Sequence, residues 1–212
     1  MANWIQSGIY KTDSTRIEPK CDPQELFQNF IRIAQRIPGG YEINKQNEQI
    51  LYKLCMYFSN SPELDQSILR KGIMLVGNAG SGKTTIMRIF SQIVPFSMLY
   101  VDSICDNVRK EGQEAIDRLY SRPHDEFCYD DLGSEQKIKF YGSQMDVMHD
   151  VIIKRCRNLV MHGTRTHFTT NMSMGEISKL YDLRVESRLN EMCNVLVLGG
   201  NKEYKDFRKQ TS

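Results

Sequence analysis

The stretch Gly77-Asn78-Ala79-Gly80-Ser81-Gly82-Lys83-Thr84-Thr85 constrains this chain more than any other. It follows the apolar run Gly72-Ile73-Met74-Leu75-Val76. It precedes a run in which Ile86, Ile89, Phe90, Ile93 and Val94 recur at helical spacing. Glycine loses more backbone freedom on folding than other residues and brings no side chain to pack. Three glycines between a strand and a helix therefore need a local reason, and a bound phosphate supplies one. The glycines let the backbone wrap an anion with its N–H groups pointing inward, and the helix N-terminus adds partial positive charge. In this pattern Lys83 is expected to reach the β- and γ-phosphates, and the Thr84 hydroxyl to ligate Mg²⁺. Residues 77–85 thus read as a complete Walker A loop, with ATP and Mg²⁺ as the expected cofactors.

A second signal lies downstream. Phe127-Cys128-Tyr129 is a short apolar strand that runs into Asp130-Asp131-Leu132-Gly133. Adjacent acids at the C-terminal edge of an α/β sheet suit two tasks. Asp130 is expected to hold the Mg²⁺ shell, and Asp131 to orient and deprotonate an attacking water. Asp131 is one methylene shorter than the glutamate many such ATPases carry, so the water must sit closer or hydrolysis is slow. Glu135 is a lower-ranked substitute base. Thr166-His167-Phe168-Thr169-Thr170 is a strand ending at Asn171, a candidate sensor of the γ-phosphate or of the water. The blander reading is a threonine-rich edge with Asn171 or Ser173 opening the next turn. Arg184 and Arg188 stand four residues apart, hence on one helix face. Taken alone, with Glu186 and Glu191 nearby, that is a solvated charged face.

Around these motifs the chain is organised simply. Residues 1–20 read as a polar arm. Asp22-Pro23 opens a helix carrying Leu26, Phe27, Phe30, Ile31, Ala34 and Ile37, which Pro38-Gly39-Gly40 stops. A second helix spans about 44–58. From about residue 70, strands at 73–76, 98–101, 127–130, 166–170 and 195–198 alternate with helices at 82–94, 102–120 and 144–157. This rhythm predicts a three-layer α/β domain with a mostly parallel five-stranded sheet, a small N-terminal helical extension and no substantial C-terminal lid. The expected division is a partner-binding segment over 1–60, a core over 61–200 and a basic tail over 201–212.

Composition excludes several classes. Hydrophobic residues make up 40% and charged residues 25%, the globular range. A net charge of +2 is too balanced for nucleic-acid binding by bulk attraction. The six cysteines form no C-x-x-C pair, which argues against a zinc ribbon and for free thiols in a reducing compartment. His124, His149, His162 and His167 form no metal pattern. With no secretory signal and no long apolar run, the expectation is a cytoplasmic protein that spans no membrane.

In order, Gly77–Thr85, Tyr129-Asp130-Asp131-Leu132-Gly133, Thr169-Thr170-Asn171 and Arg184–Leu189 resemble the AAA+ ATPases. Within that family the Asp-Asp-Leu-Gly, Thr-Asn and Arg-x-x-x-Arg-Leu elements most resemble the DnaC-type helicase loaders and the IstB-type transposition ATPases. The resemblance covers about residues 70–200. It implies ATP hydrolysis, nucleotide-dependent homo-oligomers, DNA (expected single-stranded), and a protein partner such as a replicative helicase or a transposase. It also implies that Arg188 is an arginine finger serving a neighbouring subunit, with Arg184 a second phosphate-facing or interface arginine. Arg109, Lys110 and Arg118, on the helix after the second strand, are DNA-contact candidates. So are Lys202, Lys205, Arg208 and Lys209 around Phe207 in the tail, although a solvated tail is the favoured reading there; Trp4 and Tyr10 in the arm are candidate partner anchors or ordinary exposed aromatics. Two other classes stay open: a P-loop small-molecule kinase, and a nucleotide-gated binding module that turns over slowly.

Overall fold

A computed structural model describes residues 17, 20–37, 41–44, 47–135, 138–140 and 143–198. The arm with Trp4 and Tyr10, the Pro38-Gly39-Gly40 stop and the basic tail lie outside the described residues. Strand β1 (Gly72–Gly77) is buried along its whole length. Its side chains alternate between two cores, as the strand period requires. Ile73 and Leu75 face one core, with helices α1 (Pro23–Ala34), α2 (Glu48–Phe58) and α4 (Lys83–Phe90). Met74 and Val76 face the other, with helices α5 (Val101–Glu111), α6 (Val147–His162) and α8 (Leu183–Met192). A short helix, α3 (Gln66–Arg70), leads into β1, and α7 (Met174–Leu180) precedes α8.

The sheet has five strands in the order β2 (Ser97–Tyr100), β3 (Phe127–Leu132), β6 (Thr166–Thr170), β1, β7 (Cys193–Leu198), and every pairing is parallel. The expected three-layer α/β fold is therefore the observed one. Its strand order matters for the site: β6 lies between the strand that feeds the phosphate loop and the strand that ends in the two aspartates. Their C-terminal ends open onto one edge, with β6 as the bridge.

Local signals explain the helix ends. The Asp22 carboxylate accepts the Gln24 N–H at 2.9 Å and Pro23 occupies the first turn, so α1 starts where the sequence places it. Leu26, Phe30 and Ala34 then fall on its buried face.

Two expectations need correction. The helix expected over 102–120 is broken: α5 ends at Gly112, whose φ of 87° no other residue adopts cheaply, and a separate π-helical turn follows at Ile116–Tyr120. Arg118 thus leaves the helix that holds Arg109 and Lys110. The helix expected from 144 starts at Val147, because Asp146 is its N-cap, accepting the His149 N–H at 3.1 Å. Residues 138–145 instead hold a short antiparallel hairpin, β4 (Ile138–Phe140) with β5 (Ser143–Met145). Among the described residues no helix is long and apolar enough to cross a membrane.

Candidate nucleotide site

The phosphate loop leaves β1 at Gly77 and enters α4 at Lys83. Gly82 caps α4 with φ 91°, a left-handed conformation that a side chain would strain. The Lys83 side chain curls back over the loop. Its ammonium donates to the carbonyl oxygens of Gly77 at 2.8 Å and Asn78 at 2.9 Å, and to the Asn171 side-chain oxygen at 2.8 Å. Lys83 is only 5% exposed. That burial lowers its pKa, against the pull of Asp131 and Asp130, which favour the charged form.

The two aspartates are aimed by a break in the β3–β6 ladder. Tyr129 pairs with Phe168 and Leu132 with Thr170, so Asp130 and Asp131 together oppose Thr169. This is a β-bulge, and the extra residue is Asp131, at φ 64°. Asparagine and aspartate tolerate that region better than other residues with a Cβ. In a regular strand, consecutive side chains point to opposite faces. Here Thr169 holds both acids: its hydroxyl donates to Asp130 Oδ1 at 2.7 Å and accepts the Asp131 N–H at 2.9 Å.

From there the polar side chains of three strand ends connect. The Thr84 hydroxyl donates to Asp130 Oδ1 at 2.9 Å. The Asn171 amide nitrogen donates to Asp131 Oδ1 at 2.7 Å while its oxygen receives Lys83. Asn171 therefore stands between the lysine and the second aspartate, where the β6 bridge puts it. Burial, reinforced by the Asp130 charge, raises the Asp131 pKa, and Lys83 opposes that rise. Hydroxyl and carboxylate oxygens meeting at Thr84 and Asp130 are the hard donors Mg²⁺ prefers, so these residues fit the ion.

Other candidates fall elsewhere. Arg184 is exposed and Arg188 half-exposed, on a side of α8 that flanks the buried Val185, Leu189 and Met192. Arg188 pairs with Glu191 at 2.5 Å, and among the described residues neither arginine bonds to the loop or to the aspartates. Arg109 pairs with Asp106 at 2.6 Å, and Arg118 pairs with Glu111, so each carries its own counter-charge. Glu135 has both oxygens engaged, by the Gly133 N–H and the Tyr181 hydroxyl.

The sequence reading missed Tyr41. Its ring lies against the phosphate loop, so close that a Cβ on Gly82 would stand 2.9 Å from a ring carbon. Asn47 donates to its hydroxyl at 3.2 Å, and burial pushes its pKa up to about 12. The only sequence cue was an aromatic residue directly after the Pro38-Gly39-Gly40 break.

No family model and no curated protein matches the sequence. Solved structures do match the fold. The crystal structure of the DnaC helicase loader superposes with a TM-score of 0.55 at 19% identity, covering 76% of this chain and 94% of that one. DnaI gives a TM-score of 0.56 at 18% identity, over 79% of this chain and 93% of that one. The replication initiator DnaA, bound to AMPPCP and single-stranded DNA, gives 0.54 at 11% identity, over 84% of this chain and 50% of that one. The chain has the fold of these AAA+ proteins.

Proposed function

We propose that this protein binds MgATP and hydrolyses it, and that the nucleotide state governs its assembly with copies of itself and its action on a replicative helicase at single-stranded DNA. The observation that carries the ATPase reading is the chain of side chains Lys83–Asn171–Asp131 across three strand ends, beside Thr84–Asp130. A polyphosphate entering the loop competes with the Gly77 and Asn78 carbonyls for the Lys83 ammonium, and its negative charge favours the charged lysine that burial disfavours. Thr84 and Asp130 would hold Mg²⁺, which when bound neutralises phosphate charge. Asp131, with one oxygen fixed by Asn171, keeps the other for a water. Asn171 then reports to that acid whether Lys83 is engaged by phosphate.

The arginines support assembly. A finger that serves a neighbour's nucleotide must be presented outward, and α8 presents Arg184 and Arg188 in that way, with Arg188 as the finger and Arg184 beside it. The partner assignment rests on likeness of fold to proteins named as helicase loaders, which favours a helicase over a transposase. The single-stranded DNA recorded with DnaA favours that form of DNA. Residues 1–60 are the segment assigned to the partner and 201–212 the basic tail. The short side chain of Asp131, already bonded to Asn171, favours a second reading, a nucleotide-gated module with little turnover.

One experiment separates these. Particle mass is measured by light scattering with and without Mg²⁺ and a non-hydrolysable ATP analogue, alongside phosphate release from ATP, for wild type and Arg188→Ala. The analogue should drive wild type into a larger assembly that Arg188→Ala fails to form. Wild type that assembles but releases no phosphate even with single-stranded DNA is the gated module. Wild type that binds the analogue and stays small with and without DNA ends the assembly reading.

A further inference from the structure

Glu135 lies just beyond the acidic turn, and its carboxylate joins two parts of the chain. One oxygen accepts the Gly133 N–H at 2.9 Å, and the other accepts the Tyr181 hydroxyl. Gly133 follows Asp131-Leu132 directly. Tyr181 is the residue at which α7 ends, and Asp182, which caps α8 by accepting the Val185 N–H at 2.7 Å, comes next. The other end of α7 is tied to the same turn. Its capping box at Ser173 and Glu176 begins two residues after Asn171, which holds the Asp131 carboxylate. Between the two ties, Met172 presses on the turn: a Cβ on Gly133 would stand 2.3 Å from its sulfur. One short helix thus grips the acidic turn at both of its ends.

We propose that Glu135 and Tyr181 form a strut that fixes the Asp130–Gly133 turn to the corner between α7 and α8, so that the placing of Asp131 depends on the helix that carries Arg184 and Arg188. The catalytic half of this inference rests on the ATPase reading, and the mechanical half does not. Only Asp182 separates Tyr181 from α8, so a force applied to the exposed arginines reaches the Glu135 carboxylate through one residue. Burial raises the Glu135 pKa, and the neighbouring Asp146 adds to that. The Tyr181 and Gly133 donors are the groups that hold its charge in place. Glu135 is accordingly a positioning residue.

Tyr181→Phe deletes the hydroxyl and keeps the ring. Glu135→Gln keeps an acceptor for one donor and loses the other. Three quantities are read for both variants and their double: amide hydrogen exchange over 131–135, affinity for a fluorescent ADP derivative, and ATP turnover. Tyr181→Phe should speed exchange over 131–135 by about tenfold, the effect of one lost hydrogen bond to a charged partner. Turnover should fall by a similar factor with nucleotide affinity unchanged. The double variant should be no worse than the poorer single one, because both changes cut the same strut.

Unchanged exchange over 131–135 in Tyr181→Phe overturns the strut, as do multiplying effects in the double variant. Glu135→Gln that loses all turnover while Tyr181→Phe keeps it makes Glu135 a base, which also overturns it. Should wild type and Lys83→Ala release phosphate equally, the ATPase reading fails, and the exchange measurement still decides the strut.

Discussion

Lys83 and Arg155 are both buried cations, 5% and 0% exposed, at opposite edges of the same sheet. Arg155 sits at the amino edge. Its guanidinium donates to the backbone carbonyls of Arg122 at 2.8 Å, Asp125 at 2.9 Å and Arg165 at 3.1 Å, and to the Thr166 hydroxyl at 2.8 Å, while its face covers the Phe127 ring. Beside it, Arg165 is clasped by Glu126 at 3.0 Å and lies over the Tyr57 ring. A planar fork with several donors matched to fixed acceptors is a clasp. Lys83 sits at the carboxyl edge, and its partners are the carbonyls of a loop and the amide of an exposed asparagine. A compact ammonium can exchange such acceptors for phosphate oxygens. Burial of a charge is common to both edges. What separates function from architecture is whether the partners can be exchanged.

The largest effect that tests this contrast is on stability. Arg155→Met keeps the apolar stem and leaves three carbonyls without their donor. The loss should be at least about 3 kcal/mol, since each buried acceptor left unmade is penalised by ~1–3 kcal/mol. It is read as a lower urea midpoint. Nucleotide affinity of the folded protein should not change, and an affinity that fell in step with stability would erase the distinction between the edges.

Lys83→Ala makes the reverse prediction. Without ligand the folded chain should lose less stability than Arg155→Met does, because the lost lysine takes with it its own desolvation and the Asn78 and Asn171 acceptors it leaves are only part-buried. What disappears is ligand stabilisation, about 2.7 kcal/mol for a ligand at ~100 times its Kd. Thermal unfolding with and without ATP reads both quantities in one series. A variant that still gains stability from ATP would remove Lys83 from the site.

The contrast also shows what a sequence displays. The Gly77–Thr85 loop and the Asp130-Asp131 pair were legible because their chemistry needs particular residue types at neighbouring positions. Strand β1 was legible because it is buried on both faces and reads as an apolar run, and β3 because it opens on Phe127-Cys128-Tyr129. The bulge at Asp131 was not legible, since it arises from how β3 pairs with β6, and pairing is long-range. Nor was the place of Asn171 between Lys83 and Asp131, which needs the strand order β3-β6-β1. Tyr41 and Tyr181 stayed hidden for the same reason: each meets its partner across about 40 residues or more of chain. The amino-edge clasp was least visible of all. Arg155 falls within a helix whose period reads as ordinary, and nothing local says that its charge is buried.

The smallest predicted effect is a difference in pH dependence at that amino edge. His167 is fully buried on β6, where its Nδ1 accepts the Ile73 N–H at 3.0 Å. Its Nε2 therefore carries the hydrogen and finds no hydrogen-bond partner among the described residues, and the Glu126 carboxylate stands 4.0 Å away. Burial first, then the charges of Arg165, Arg155 and Lys20, hold its pKa well below the usual histidine value. The unfolded chain takes up a proton near pH 6.5, whereas the folded chain does so only at lower pH. Below about 6.5 the unfolded state binds more protons, so His167's contribution to stability is full above that pH and is lost as the pH falls towards the folded value. The slope is at most about 1.4 kcal/mol per pH unit for one proton. His167→Asn offers an amide oxygen to the Ile73 N–H and cannot titrate. Unfolding free energies between pH 7.5 and 5.5, an interval of about the width over which one such group titrates, should fall more steeply for wild type than for His167→Asn. Parallel slopes would mean that His167 takes up its proton while folded, and the amino edge would then be as exchangeable as the phosphate loop.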